Sequence, residues 1–157
     1  MNLTDYQKPH VIQNLLAMSR VAIVGLSSNE LRPSNFVGFY LKRHSYDIVP
    51  VNPRENSIFG KQSYPSLLDI PDPVDIVDVF RDPAAVPEIA EQAVAIGAKA
   101  LWLQFGVISE EGIRIAEAAG LDVVVDRCIK IEHARYLGDM HVLGFNTNII
   151  SANRRKL

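Results

Sequence analysis

The stretch Val21-Ala-Ile-Val-Gly-Leu-Ser-Ser-Asn-Glu-Leu-Arg-Pro-Ser-Asn35 constrains the fold of this chain more than any other part. Residues 21–26 form an apolar run too short for a helix, which predicts a central strand buried on both faces. A polar turn with one glycine and one arginine follows, and Pro33 or Ser34 marks a helix start. A strand feeding a helix through such a turn builds an anion site. The helix N-terminus leaves backbone N–H groups unpartnered, and its dipole favours negative charge. A phosphate-bearing ligand is therefore expected, although the loop is not a GxGxxG.

The same alternation continues along the chain. Strands are predicted at 46–51, 74–80, 99–103 and 121–125. A first helix, capped by Thr4 or Asp5, is predicted to run to about Met18, with Val11, Ile12, Leu15 and Leu16 on one face. The next is predicted at 34–43, with Phe36, Val37, Tyr40 and Leu41 as its stripe. Gly60 and Pro65 mark a turn-rich stretch, ending in a helical turn near 66–69. Asp82-Pro83 reads as a cap and a separate turn, with the regular helix starting near Pro87 and stopped by Gly97. Ser109 caps a helix with Glu110 and Glu111 in its first turn and Gly120 after its end. Residues 129–135 are a further helical segment. From Gly138 the pattern fades, and Arg154-Arg155-Lys156 reads as a solvated tail. Alternating strands and helices predict an α/β, Rossmann-like domain: a five-stranded, mainly parallel sheet with helices on both faces. Ligands of such sheets bind beyond the carboxyl ends of the strands, which directs attention to 25–34, 52–54, 80–82, 104–106 and 126–128.

Within those segments, Gly25 permits close backbone approach, and Ser27, Ser28, Arg32 and Ser34 supply hydroxyls and a guanidinium suited to phosphate oxygens. After the second strand an NAD site wants an Asp or Glu for the ribose hydroxyls. This chain has Asn52-Pro53-Arg54 there. Arg54 suits a ribose that carries a phosphate, as in NADP or coenzyme A; the plainer reading is a strand-ending turn with a solvated arginine. Phe80 and Arg81 follow the third strand. Gln104 and Gly106 follow the fourth, where an adenine or pantetheine amide is read, and flanking Trp102 and Phe105 read as packing. Asp126, Arg127 and Cys128 close the fifth. Cys128 reads first as a small buried hydrophobe; a reactive thiolate would need Arg127 and Lys130 turned toward it, and a mixed disulfide with a thiol ligand would then follow under oxidation. His10, His44, His133 and His141 show no metal spacing, and no G-x-S-x-G, CxxC or Walker lysine is present.

Composition bounds the function. A chain of 157 residues is one domain on length, and 48% hydrophobic with 22% charged residues is a globular profile. A net charge of −2 argues against nucleic-acid binding by bulk charge. No apolar run approaches the roughly 18 residues of a membrane span, and the N-terminus carries no secretion signal. One cysteine suits a reducing cytoplasm, the expected location.

Several segments together resemble a known family. Val21-Ala-Ile-Val-Gly25, Arg32-Pro-Ser34, Val49-Pro-Val-Asn-Pro53, Val74-Asp-Ile-Val-Asp-Val-Phe80, Gly97-Ala-Lys-Ala-Leu-Trp-Leu-Gln104 and Asp126-Arg-Cys-Ile-Lys-Ile-Glu-His133 occur in order. The set resembles the small stand-alone coenzyme A-binding proteins of bacteria, up to about Tyr136. That family is similar to the N-terminal domain of the succinyl-CoA synthetase α subunit. The resemblance implies a Rossmann-like domain holding the nucleotide half of coenzyme A over its first glycine loop, here with fewer glycines than the synthetase loop. In the synthetases a second domain carries the phosphorylated histidine, and this chain ends before one could begin. The expected function is thus non-catalytic binding of CoA or an acyl-CoA. The alternatives are an NADP-linked oxidoreductase and a regulatory or interaction subunit of a split acyl-CoA ligase.

Overall fold

The computed structural model describes residues 1–138. His141 and the weakly patterned segment with its basic triplet Arg154-Arg155-Lys156 lie outside the described residues. Five strands form one sheet: β1 (Arg20–Val24), β2 (Asp47–Val51), β5 (Ile76–Val79), β6 (Ala100–Leu103) and β7 (Asp122–Val125). Their spatial order is β2-β1-β5-β6-β7, and every neighbouring pair is parallel. Parallel strands need crossover helices on both faces, so successive side chains of one strand enter different cores. Ala22 and Val24 pack with Val86, Ile89 and Ala90 of α3 (Val86–Ala95) and with Ile113 and Ala116 of α4 (Glu110–Ala118). Val21 and Ile23 pack with α1 (Pro9–Leu16), α2 (Pro33–Arg43) and α5 (Ile129–Tyr136). Leu101 and Trp102 are fully buried on opposite faces of β6. Each such aliphatic side chain removed from water contributes about 1.5–3 kcal/mol.

Sheet order fixes where a ligand can sit. The chain leaves β1 for the edge strand β2 and returns to β5 on the other side of β1. The loops after β1 and β5 therefore diverge and open a crevice between them.

The helix starts follow local chemistry. Asp82 accepts from the N–H of Ala84 and caps a short 3-10 turn, Pro83–Ala85, and α3 then begins with Pro87 in its first turn. The Ser109 hydroxyl accepts from Gly112 N–H, with Glu110 and Glu111 in the first turn of α4. The N-terminal reading is corrected. Instead of one helix capped by Thr4 or Asp5, Asn2 caps a 3-10 turn, Leu3–Tyr6, and α1 begins at Pro9. Proline holds the preceding Lys8 extended, at φ −70° and ψ 125°, and so separates the two. The turn-rich stretch before Pro65 contains a hairpin, β3 (Ser57–Ile58) with β4 (Lys61–Gln62). Its two central residues, Phe59 and Gly60, both take positive φ, the geometry that suits a two-residue hairpin turn.

Candidate functional site

A cleft of about 740 Å³ opens where the strands end, within the usual size range of small-molecule sites. Loops after all five strands line it. The loop after β1 contributes Gly25, Ser27, Arg32 and Ser34. The loop after β2 contributes Asn52, Arg54 and Glu55, and that after β5 contributes Phe80, Arg81 and Asp82. Gln104, Phe105 and Val107 come from beyond β6, and Cys128 from beyond β7. Ser28, Pro53, Gly106 and Arg127 fall outside these walls.

The first loop is built largely by its own side chains. Ser27 N–H donates to the Ser34 hydroxyl at 3.1 Å, and the Asn35 amide donates to the Ser27 carbonyl at 2.9 Å. Asn29 N–H donates to the Ser27 hydroxyl and Leu31 N–H to Asn29 Oδ1. Gly25 sits at φ +88°, and a Cβ there would overlap the carbonyl oxygen of Phe80. The glycine is thus required by close approach to the exit of β5 as well as by its place in the cleft wall.

Asn52 ties the second loop to the first. Its amide donates to the Leu26 carbonyl at 2.9 Å and to Glu55 Oε2 at 3.3 Å, and its Oδ1 accepts from Arg54 N–H. Glu55 Oε2 also accepts the N–H of Ser28 at 3.0 Å. An acidic side chain does reach the β2 edge of the cleft, from a position beyond the turn where a Rossmann acid is sought. Asn52 is accordingly a clasp between loops as well as a wall residue, and its Oδ1 bond from Arg54 N–H forms the strand-ending turn.

Three guanidiniums, Arg32, Arg54 and Arg81, face this cleft and are exposed. Among the described residues none of them forms an ion pair. Arg32 is also the N-cap residue of α2 and makes no capping bond through its side chain. The cleft thus offers converging, uncommitted positive charge at a helix start, which suits an anion.

The floor is different. Asp78, on β5, is fully buried and takes a hydrogen bond from the Gln104 amide at 2.6 Å. Its second oxygen has no partner, and burial pushes its pKa up to about 8. Burial thus favours the protonated form of Asp78, which fixes the side chain of Gln104 in the wall. A buried aspartate in an apolar strand was visible in the sequence; its link to Gln104 was not.

Cys128 starts α5 and lines the cleft, but the activation by Arg127 and Lys130 is not found. Burial raises the thiol pKa and the nearby Asp78 adds to the rise; the backbone N–H groups of Ile131 and Lys130 and the Lys130 charge oppose it without reversing it. Arg127 turns elsewhere: its guanidinium reaches Gln7 Oε1 at 2.8 Å and lies 3.5 Å from Glu132. Gly106, at φ +75°, donates its N–H to Asp126 Oδ1 and shapes the neighbouring turn. Among the described residues no group of three His, Cys, Asp or Glu side chains could hold a metal ion, and no helix is long and apolar enough to cross a membrane.

A CoA binding domain family matches residues 19–134. YneT of Bacillus subtilis is 35% identical over 127 residues, covering 81% of this chain and 94% of that protein. An ADP-forming acetate–CoA ligase of Archaeoglobus fulgidus is 33% identical over 115 residues; the match covers 72% of this chain but only 17% of the ligase. A solved structure from Pyrococcus horikoshii superimposes with a TM-score of 0.84 at 39% identity, covering 88% of this chain and 98% of its own. The chain belongs to the CoA-binding domain family.

Proposed function

We propose that this chain binds coenzyme A or an acyl-CoA in the cleft at the carboxyl edge of its sheet and performs no chemistry on it alone. The observation that carries this reading is the convergence of Arg32, Arg54 and Arg81, without ion-pair partners among the described residues, on a cleft in a CoA-binding domain. The nucleotide half lies along the loop 25–34, where the start of α2 and Arg32 meet the pyrophosphate. Arg54 meets the phosphate on the ribose. Gln104, held by Asp78, faces the amides of the ligand.

The absence of catalysis is argued from the side chains at hand. Cys128 is held as a thiol, and Asp78 is a buried acid, its protonated form favoured, committed to Gln104. Neither forms the activated nucleophile and base that acyl transfer needs. Calorimetric titration against CoA, dephospho-CoA, NADP and NAD tests the binding. CoA is expected to bind tightest and dephospho-CoA more weakly; NAD binding as tight as CoA would contradict the assignment. Incubation with acyl-CoA or with ATP plus CoA is expected to give no turnover. Activity abolished by a point change in the cleft would contradict that part.

A further inference from the structure

We propose that Glu55 is a specificity-determining residue: its carboxylate occupies the backbone donor that a ligand phosphate takes, and it is displaced only by a strongly anionic ligand. The inference rests on the CoA-binding reading above and deepens it.

The N–H groups of Ser27, Asn29 and Leu31 go to neutral oxygens of the first loop and of the first turn of α2. Those bonds build the loop. The N–H of Ser28 is different: Ser28 does not itself line the cleft, and the acceptor of its N–H is a charged wall residue from another loop, Glu55 Oε2 at 3.0 Å, whose displacement would open that N–H to the cleft. Glu55 is half-buried in the cleft wall, on a turn whose shape is set separately by Asn52. Its hold is one bond from Ser28 and a longer one from the Asn52 amide at 3.3 Å.

A backbone N–H makes one good hydrogen bond, so a phosphate oxygen and the carboxylate compete for it. They also repel each other, and like charges set side by side cost several kcal/mol. A doubly charged pyrophosphate drawn by Arg32, Arg54 and Arg81 wins that contest. A neutral or singly charged ligand does not, because it must leave the carboxylate in place or lose the Ser28 donor. The site thereby selects for ligand charge through a residue that the ligand does not keep as a partner. When displaced, Asn52 retains its bond to Leu26, so the loop keeps its tie to β2.

The test uses Glu55→Gln, which keeps an acceptor without the charge, and Glu55→Ala, which removes both. Each is titrated with CoA and with inorganic pyrophosphate, with thermal unfolding as a check on folding. Both variants are expected to bind CoA and pyrophosphate roughly five- to tenfold tighter than the native chain. The Ser28 amide resonance is expected to differ between native and Glu55→Ala proteins when free and to coincide when both are saturated with CoA. Unchanged affinity, or weaker binding in either variant, would overturn the inference; weaker binding would make Glu55 a direct contact to ligand hydroxyls. Ser28 resonances that stay apart in the bound proteins would also overturn it. Failure of native protein to bind CoA at all would instead strike the proposed function.

Discussion

Two groups of arginines in this molecule behave in opposite ways. Arg127 and Arg135 belong to a buried cluster around Glu132, whose carboxylate is fully inaccessible and lies 3.5 Å from Arg127 and 3.2 Å from Arg135. Burial raises the pKa of Glu132, and the two guanidiniums pull it back. Arg32, Arg54 and Arg81 are exposed, converge on the cleft and pair with no acid among the described residues. A buried charge must be partnered, whereas an exposed one can be left open for a ligand. The difference separates arginines that hold α5 against the fold from arginines available to an anion. Sequence position alone did not separate them, since Arg127 stands at the ligand edge as plainly as Arg54.

The largest effect expected from breaking this contrast is at Glu132. Glu132→Ala leaves two guanidiniums around an empty buried site and is expected to cost about 3–5 kcal/mol in denaturant unfolding. The CoA affinity of the folded fraction is expected to change little; a stability loss below about 1 kcal/mol would mean that the cluster is not structural. Next is Gly25, which packs against Phe80 and Arg81 at the exit of β5. Gly25→Ala combines a positive φ with overlap on Phe80 O and is expected to cost about 2–4 kcal/mol, measured in the same way. An alanine variant as stable as the native chain would show that the β1 and β5 exits can separate freely.

The cleft arginines should give the converse pattern. Arg54→Ala and Arg81→Ala are each expected to weaken CoA binding by about 1.5–3 kcal/mol, while stability stays within about 0.5 kcal/mol. Calorimetry at rising salt sharpens this, because exposed charge pairs are screened and the native affinity should fall toward that of the variants. A pH-dependent effect concerns Asp78. Its folded pKa of about 8 lies above the unfolded value of 3.8, so the folded state keeps a proton that the unfolded chain releases. The stability this group contributes is complete at low pH and is lost as pH rises toward 8, at about 1.4 kcal/mol per pH unit. Asp78→Asn should remove that slope. Unfolding midpoints of the two proteins between about pH 5 and about pH 7.5 should therefore diverge in favour of the variant. Parallel curves would mean that Asp78 is ionised in the fold.

Much of the framework was legible because its signals are local. Short apolar runs bounded by Gly, Pro and Asn gave all five sheet strands, and Asp82, Pro87 and Ser109 marked the helix starts that the fold uses. The split before α1 was also written locally, in Pro9, but the helical stripe of Val11, Ile12, Leu15 and Leu16 outweighed it. The β3–β4 hairpin was hidden because Phe59 is not a residue expected at positive φ. The site was legible as a set of strand ends and illegible in its pairings. Arg127 meets Gln7 from 120 positions away, Asp78 meets Gln104 from 26, and Glu55 meets Ser28 from 27. Only the register of the assembled sheet brings such residues together.

The most direct measurement is a crystal structure of the chain with CoA. The account predicts the pyrophosphate against the loop 25–34, with phosphate oxygens about 3 Å from a guanidinium of Arg32, Arg54 or Arg81. It also predicts the rest of the ligand running past Gln104. A second hollow on the outer side of α2 carries Phe36, Phe39, Arg43 and Lys130, aromatic and cationic like a nucleotide site. Density for CoA in that hollow, with the cleft at the strand ends empty, would contradict the account.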